Sequence, residues 1–190
     1  MNPGKSEEIL TAAIRLFQEK GYHATSMQDI ADAVGLQKGS LYHHISSKEE
    51  LLAWIVARAL ARYVEELQGI VESRRPARER LKEAVQNHIR IIAENLGMLT
   101  IFLRESAALT AEQREAEEEG GRRYRQLFER LIVEGVASGD FRPVDPKMAA
   151  LSIIGACNWT YRWYDPAGAL SHGEISELVW DYFYKGLIKH

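Results

Sequence analysis

Apolar residues recur at three- and four-residue intervals along most of this chain, and the two-residue alternation of a strand is almost absent. Ile9, Ala12, Ala13, Leu16 and Phe17 mark one face of a helix over 6–20, closed by Gly21. Thr25 or Ser26 caps a second helix whose inner face is Met27, Ile30, Ala31 and Val34, and Gly35 ends it. Lys38–His43 reads as a short third helix with Leu41 turned inward. Ser47 opens a long fourth helix through Leu51, Leu52, Ile55, Val56, Ala59 and Leu60, and Glu50, three residues on, completes a capping box. Behind it the spacing predicts helices over 77–95, 98–109, 111–138, 147–164 and 174–188. Gly97 separates the first two of these, and Gly120-Gly121 is a point where the third bends or breaks. The expected fold class is all-α, with about nine helices and no internal repeat.

The segment from Thr25 to Lys48 carries the most chemistry. Two short helices meet at a turn where Gly35 supplies a left-handed backbone at no steric cost, and Ala31 is small enough for a close crossing. Leu41 anchors the second helix. Gln37, Lys38, Ser40 and His43 are then left to face base edges and backbone, while Gly39 permits close approach. Thr25, Ser26, Tyr42, His44 and Lys48 are placed for phosphate contacts, which set register rather than sequence preference. The adjacent His43 and His44 point about 100° apart on a helix, which disfavours a shared metal ion. Tyr42 also suits a plain packing role with a wet hydroxyl. The expected division is a helix-turn-helix DNA-binding domain over 1–47 and a ligand-binding and dimerisation domain over 48–190.

Composition adjusts this picture only slightly. The 190 residues are 46% hydrophobic and 27% charged, enough for one large core or two small ones. A net charge of −3 excludes a bulk polycation. Local charge is different: 36–48 holds Lys38, Lys48 and two histidines with no acid. Cys157 is the single cysteine and sits in an apolar segment, so it reads as a buried thiol in a reducing compartment. No apolar run reaches the length of a membrane span, and the start, MNPGKSEEIL, lacks the core of a signal peptide, so the expectation is a cytoplasmic protein without membrane contact.

The ordered run LFQEKGYHATSMQDIADAVGLQKGSLYHHISSKEELL, roughly Leu16 to Leu52, resembles the TetR/AcrR family of bacterial repressors. The matching positions are Phe17, Gly21, Thr25, Ile30, Ala31, Ala33, Val34, Gly35, Gly39, Leu41, Tyr42, His44, Lys48 and Leu51; Ile45 departs mildly, standing where the family often has phenylalanine or another large apolar group. The resemblance implies a homodimer whose heads bind double-stranded DNA and whose C-terminal domain binds a small-molecule effector. One short helix reads too few bases, so two must be held about one helical turn apart, roughly 34 Å, over a palindrome. The two last long helices are the expected dimer interface, with Leu151, Ile154, Gly155, Leu178, Val179, Tyr182, Phe183 and Leu187 as contacts.

In the back half, Trp159, Arg162 and Trp163 fall three and four apart and so share a helix face. Such a cluster walls an apolar pocket with one cation at its mouth, or packs a core or subunit interface. NWTYRWY followed by DPAGALS resembles a TetR subgroup linked to fatty-acid and aromatic-acid degradation, whose members respond to acyl-coenzyme A thioesters. That resemblance implies an apolar tunnel lined by Ile92, Leu96, Leu99, Phe102, Leu103, Ser106, Trp159 and Trp163, with Arg104, Arg122, Arg123, Arg125 and Arg162 as the candidates to meet coenzyme A phosphates. The arginines equally suit a solvated face balancing Glu117–Glu119.

The expected activity is a ligand-controlled transcriptional repressor with no catalytic residues, no metal and no cofactor, its effector an apolar acid or its acyl-CoA thioester. Two rivals stand beside it. A TetR-type repressor of a multidrug efflux pump wants buried carboxylates for cationic drugs, and the segments 96–109 and 147–164 offer few acids. A helical enzyme acting on thioesters wants a nucleophile–base–acid set that the sequence does not contain.

Overall fold

The computed structural model describes residues 3–105 and 110–188. Its helices are α1 (Pro3–Lys20), α2 (Met27–Ala33), α3 (Lys38–Tyr42), α4 (Lys48–Glu72), α5 (Ala77–Glu94), α6 (Leu96–Glu105), α7 (Ala111–Ser138), α8 (Pro146–Trp159) and α9 (His172–Leu187), with a short 3-10 turn at Thr160–Arg162. Among the described residues there is no strand. The all-α class read from the periodicity is the fold observed. Packing groups the chain into two units, one of residues 1–59 and 97–117, the other of 60–96 and 118–190.

In the first unit the apolar stripe of α1 (Ile9, Leu10, Ala13, Leu16, Phe17) meets Ile30 and Ala31 of α2, Leu41 of α3 and Leu51, Leu52 and Ile55 of α4 in one core. Ser26, not Thr25, caps α2. Its Oγ accepts from Asp29 N–H at 3.1 Å while the Asp29 carboxylate accepts from Ser26 N–H at 2.8 Å, a complete capping box. Lys20 lies 2.7 Å from Asp29 and, with Ser26, holds that carboxyl well below the usual carboxylate range. Gly35 takes φ +65°, the left-handed backbone that the turn into α3 requires. The start of α4 differs in detail from the expected box: Ser47 Oγ accepts from Glu50 N–H at 3.0 Å, but the Glu50 carboxylate turns to Ser46, accepting from its backbone N–H at 2.8 Å.

The second unit packs α5 against α8 and α9 around Phe128, Leu131 and Ile132 of α7. Element ends depart from the periodicity where side chains take backbone groups. The break between α5 and α6 falls at Asn95 rather than Gly97, because Asn95 Nδ2 donates to the Ile91 carbonyl at 2.8 Å and closes the helix. α7 runs unbroken through Gly120-Gly121. A Cβ on Gly120 would stand 2.4 Å from Leu60 Cδ2, so that glycine serves close packing and not a bend. α8 stops at Trp159, five residues before the expected Tyr164, where the buried Thr160 hydroxyl donates to the Cys157 carbonyl at 2.7 Å and the chain tightens into the 3-10 turn. α9 begins at His172, capped by Ser171 in a box with Glu174.

Candidate functional site

The geometry of the head follows from one buried residue on a five-residue helix. Leu41 is fully buried in the first core, so the rest of α3 faces outward. Gln37, Lys38, Gly39, Ser40, Tyr42 and His43 are exposed, and His44 is half-buried. Lys38 Nζ lies 6.0 Å from the Tyr42 ring centroid, which keeps cation and phenol on neighbouring faces. Ser26 is exposed at the start of α2. Two further expected phosphate ligands have internal partners. Thr25 is buried, its hydroxyl donating to the carbonyls of Gly21 at 2.8 Å and Leu16 at 3.2 Å. The Lys48 ammonium donates to the carbonyls of Tyr22 at 2.7 Å and Thr25 at 3.0 Å, and stands 4.4 Å from the Tyr22 ring centroid. Lys48 therefore ties the start of α4 to the loop before α2, a role the sequence pattern did not reveal.

The residues expected around an effector divide differently. Ile92 is buried and Leu96 half-buried in the second unit; Leu99 is half-buried in the first. The side chains of Phe102, Leu103 and Arg104, and all of Ser106, lie outside the described residues. Arg122 is exposed and paired with Glu119 at 2.6 Å and Glu118 at 3.8 Å. Trp159 and Trp163 are 60% and 51% exposed, with the Arg162 guanidinium 5.5 Å from the Trp159 centroid and 5.7 Å from that of Tyr161. They cap the end of α8 on the outside of the second unit. An open groove of about 540 Å³ between α5 and the start of α9, lined by residues such as Glu83, Asn87, Arg90, His172 and Glu177, includes none of them.

Of the expected dimer contacts, Leu151, Gly155, Leu178 and Tyr182 are exposed, together with Met148 one turn before Leu151. Ile154, Val179 and Phe183 are half-buried against the second core, and Leu187 is buried within it.

The second core also contains a polar chain that the pattern gave no reason to single out. His88 on α5 is buried, with Nδ1 3.1 Å from the Tyr124 hydroxyl of α7 and Nε2 2.9 Å from Asn158 Oδ1 of α8. Phe128 stands edge-on at 6.3 Å between ring centroids. Burial pushes the imidazole down to about 4, opposed by the Asn158 hydrogen bond, and pushes the neighbouring Cys157 thiol up to about 12. Because the folded imidazole binds its proton more weakly than the unfolded one, stability is full above about pH 6.5. It falls as pH drops towards 4, by roughly 3 kcal/mol in all. A urea-unfolding series from pH 7.5 to 4 is expected to show this slope, and His88→Gln, which cannot titrate, is expected to flatten it.

Among the described residues no three His, Cys, Asp or Glu side chains form a metal-binding group, and no helix is long and apolar enough to cross a membrane. A turn with a left-handed glycine, a buried anchor and an exposed polar helix face define a helix-turn-helix protein. The family description "Bacterial regulatory proteins, tetR family" matches residues 9–55, and "Tetracyclin repressor-like, C-terminal domain" matches 74–187. The chain is 31% identical over 176 residues to the HTH-type transcriptional repressor KstR2 of Rhodococcus jostii, spanning 92% of this chain and 86% of that one. Among solved structures, a TetR/AcrR-family regulator of Thermobifida fusca superposes with a TM-score of 0.88 at 36% identity, covering 96% of this chain and 98% of that one. The regulator AibR, solved in complex with isovaleryl coenzyme A and operator DNA, gives 0.75 at 32% identity, covering 97% and 98%. The chain belongs to the TetR family of bacterial regulatory proteins. It is a transcriptional regulator and not an enzyme.

Proposed function

We propose that this protein is a cytoplasmic repressor that binds a palindromic operator as a homodimer and releases it when an acyl-coenzyme A thioester, or the bulky apolar acid it derives from, binds the 48–190 domain. The observation that carries the DNA half is α3, held by buried Leu41 with Gln37, Lys38, Ser40, Tyr42 and His43 exposed around it. Residues 1–47 form the reading head, with Ser26 and His44 and the loop held by Thr25 and Lys48 meeting phosphates. AibR, which was solved with both an acyl-coenzyme A and operator DNA, supports the effector half. The repressor relative from Rhodococcus jostii, which aligns with nearly the whole chain, supports repression as the sign of the regulation.

The effector contacts remain those implied by the C-terminal motif, Trp159, Arg162 and Trp163 foremost, with Ile92, Leu96, Leu99, Phe102, Leu103, Arg104, Ser106 and Arg122. Met148, Leu151, Gly155, Leu178 and Tyr182 give α8 and α9 an exposed apolar face suited to a second copy. The efflux-pump reading has no such support: among the described residues no Asp or Glu is buried, so nothing inside the fold neutralises a cationic drug.

An effector releases DNA only by binding the released form better. Fluorescence anisotropy of a labelled operator, titrated with coenzyme A thioesters from butanoyl to stearoyl and with phenylacetyl-coenzyme A, is expected to show release by at least one. Retention of DNA against every thioester and every matching free acid would remove the effector claim while leaving the repressor intact.

A further inference from the structure

The chain Tyr124–His88–Asn158 is directional. Asn158 Oδ1 can only accept, so His88 Nε2 carries the proton, and Nδ1 is then an acceptor that takes the Tyr124 hydroxyl hydrogen. Reversing the Asn158 amide would leave the buried Tyr124 hydroxyl facing a second N–H with nothing to receive its proton. The arrangement as it stands satisfies every buried member, and it aims the Asn158 carbonyl oxygen inward. This chain of hydrogen bonds leaves its two Nδ2 hydrogens unused, and the residue has an exposed side.

That exposed side lies at the end of α8, one residue before Trp159 and one turn before Arg162. The last turn of a helix offers backbone carbonyls, which are acceptors only. A ligand oxygen brought there must find its donors on side chains, and Asn158 Nδ2 and the Arg162 guanidinium are among those in place, beside the indole N–H groups of Trp159 and Trp163 and the Tyr161 hydroxyl.

We infer that Asn158 is a specificity-determining residue that donates a hydrogen bond to the thioester carbonyl of an acyl-coenzyme A effector, with His88 and Tyr124 as positioning residues that hold its amide the right way round. The inference rests on the effector class proposed above and names the atom by which that class is read. It separates an activated acyl group from an alkyl chain of the same length, since only the former has an oxygen for Asn158.

The test uses the full-length protein and matched pairs of octanoyl-, dodecanoyl- and hexadecanoyl-coenzyme A with their S-alkyl thioether analogues, which lack the carbonyl. Binding is read from the fluorescence of the exposed tryptophans near Asn158. For the natural chain the thioester of at least one pair is expected to bind about tenfold more tightly than its thioether, the worth of one hydrogen bond. Asn158→Asp, which replaces the donor with an acceptor, is expected to bring that ratio close to one. His88→Leu does the same by freeing the amide to rotate, whereas His88→Gln, which can still donate to Asn158 Oδ1, keeps most of the preference. A plain brace predicts that His88→Leu lowers the melting temperature and leaves the ratio untouched; that result, or an Asn158→Asp protein that still prefers thioesters tenfold, overturns the inference. Equal binding of both analogues by the natural chain overturns it alone, while no binding of any analogue removes the proposed effector class and the inference together.

Discussion

Replacing Lys38 with glutamate is expected to abolish operator binding and to leave the thermal transition almost where it was. Lys38 opens α3, is exposed, and has no part in the core that seats the helix. A lysine contact to a guanine edge is worth about 1–3 kcal/mol, and a proposed dimer loses it twice, about 2–6 kcal/mol or roughly 30-fold to 25,000-fold in affinity. The introduced carboxylate adds repulsion from phosphate, so the upper part of that range is expected. A solvent-facing substitution of this kind alters stability by only about 0.5 kcal/mol. An electrophoretic mobility shift beside a thermal melt checks both halves. Undiminished binding would place the reading surface elsewhere than on α3.

The second large effect belongs to the other core. Phe128→Ala is expected to destabilise the protein by about 3–5 kcal/mol and to lower its melting temperature by roughly 6–20 °C. Phe128 is fully buried among Leu81, Val85, Ile89, Leu131 and Ile132, and it stands edge-on to His88 and 5.5 Å from Tyr124 between centroids. Its removal opens a cavity beside the polar chain that cannot collapse without disturbing it. Calorimetry of the variant against Phe128→Leu, which keeps most of the volume, gives the comparison; a shift of less than about 3 °C for the alanine would contradict this packing.

The head was legible from the sequence because the signals that shape it lie close together along the chain. Ser26 and Asp29 cap each other across three residues, Gly35 supplies the turn, and Leu41 is the lone apolar residue of a polar helix. What could not be read there were the longer reaches. Lys48 spends its ammonium on carbonyls 23 and 26 residues away, and a lysine at a helix start looks the same whether it faces phosphate or folds back. In the second unit the helices were readable from period, and their ends were not. Asn95 and Thr160 stop α5 and α8 through side-chain bonds to their own backbone, which no hydrophobic spacing encodes. Gly120-Gly121 reads as a weak point until Leu60 is seen against it. The His88–Tyr124–Asn158 chain joins residues 36 and 70 positions apart, and in sequence His88 is indistinguishable from one more inward residue of an amphipathic helix.

Selection of bound duplexes from a random oligonucleotide pool, followed by sequencing, tests the central claim most directly. The account predicts an inverted repeat whose half-sites are centred about ten base pairs, or a small multiple of that, apart, recovered by the natural protein and lost with Lys38→Glu. A pool that shows no enrichment, or a single unrepeated motif that Lys38→Glu recovers equally well, would contradict it.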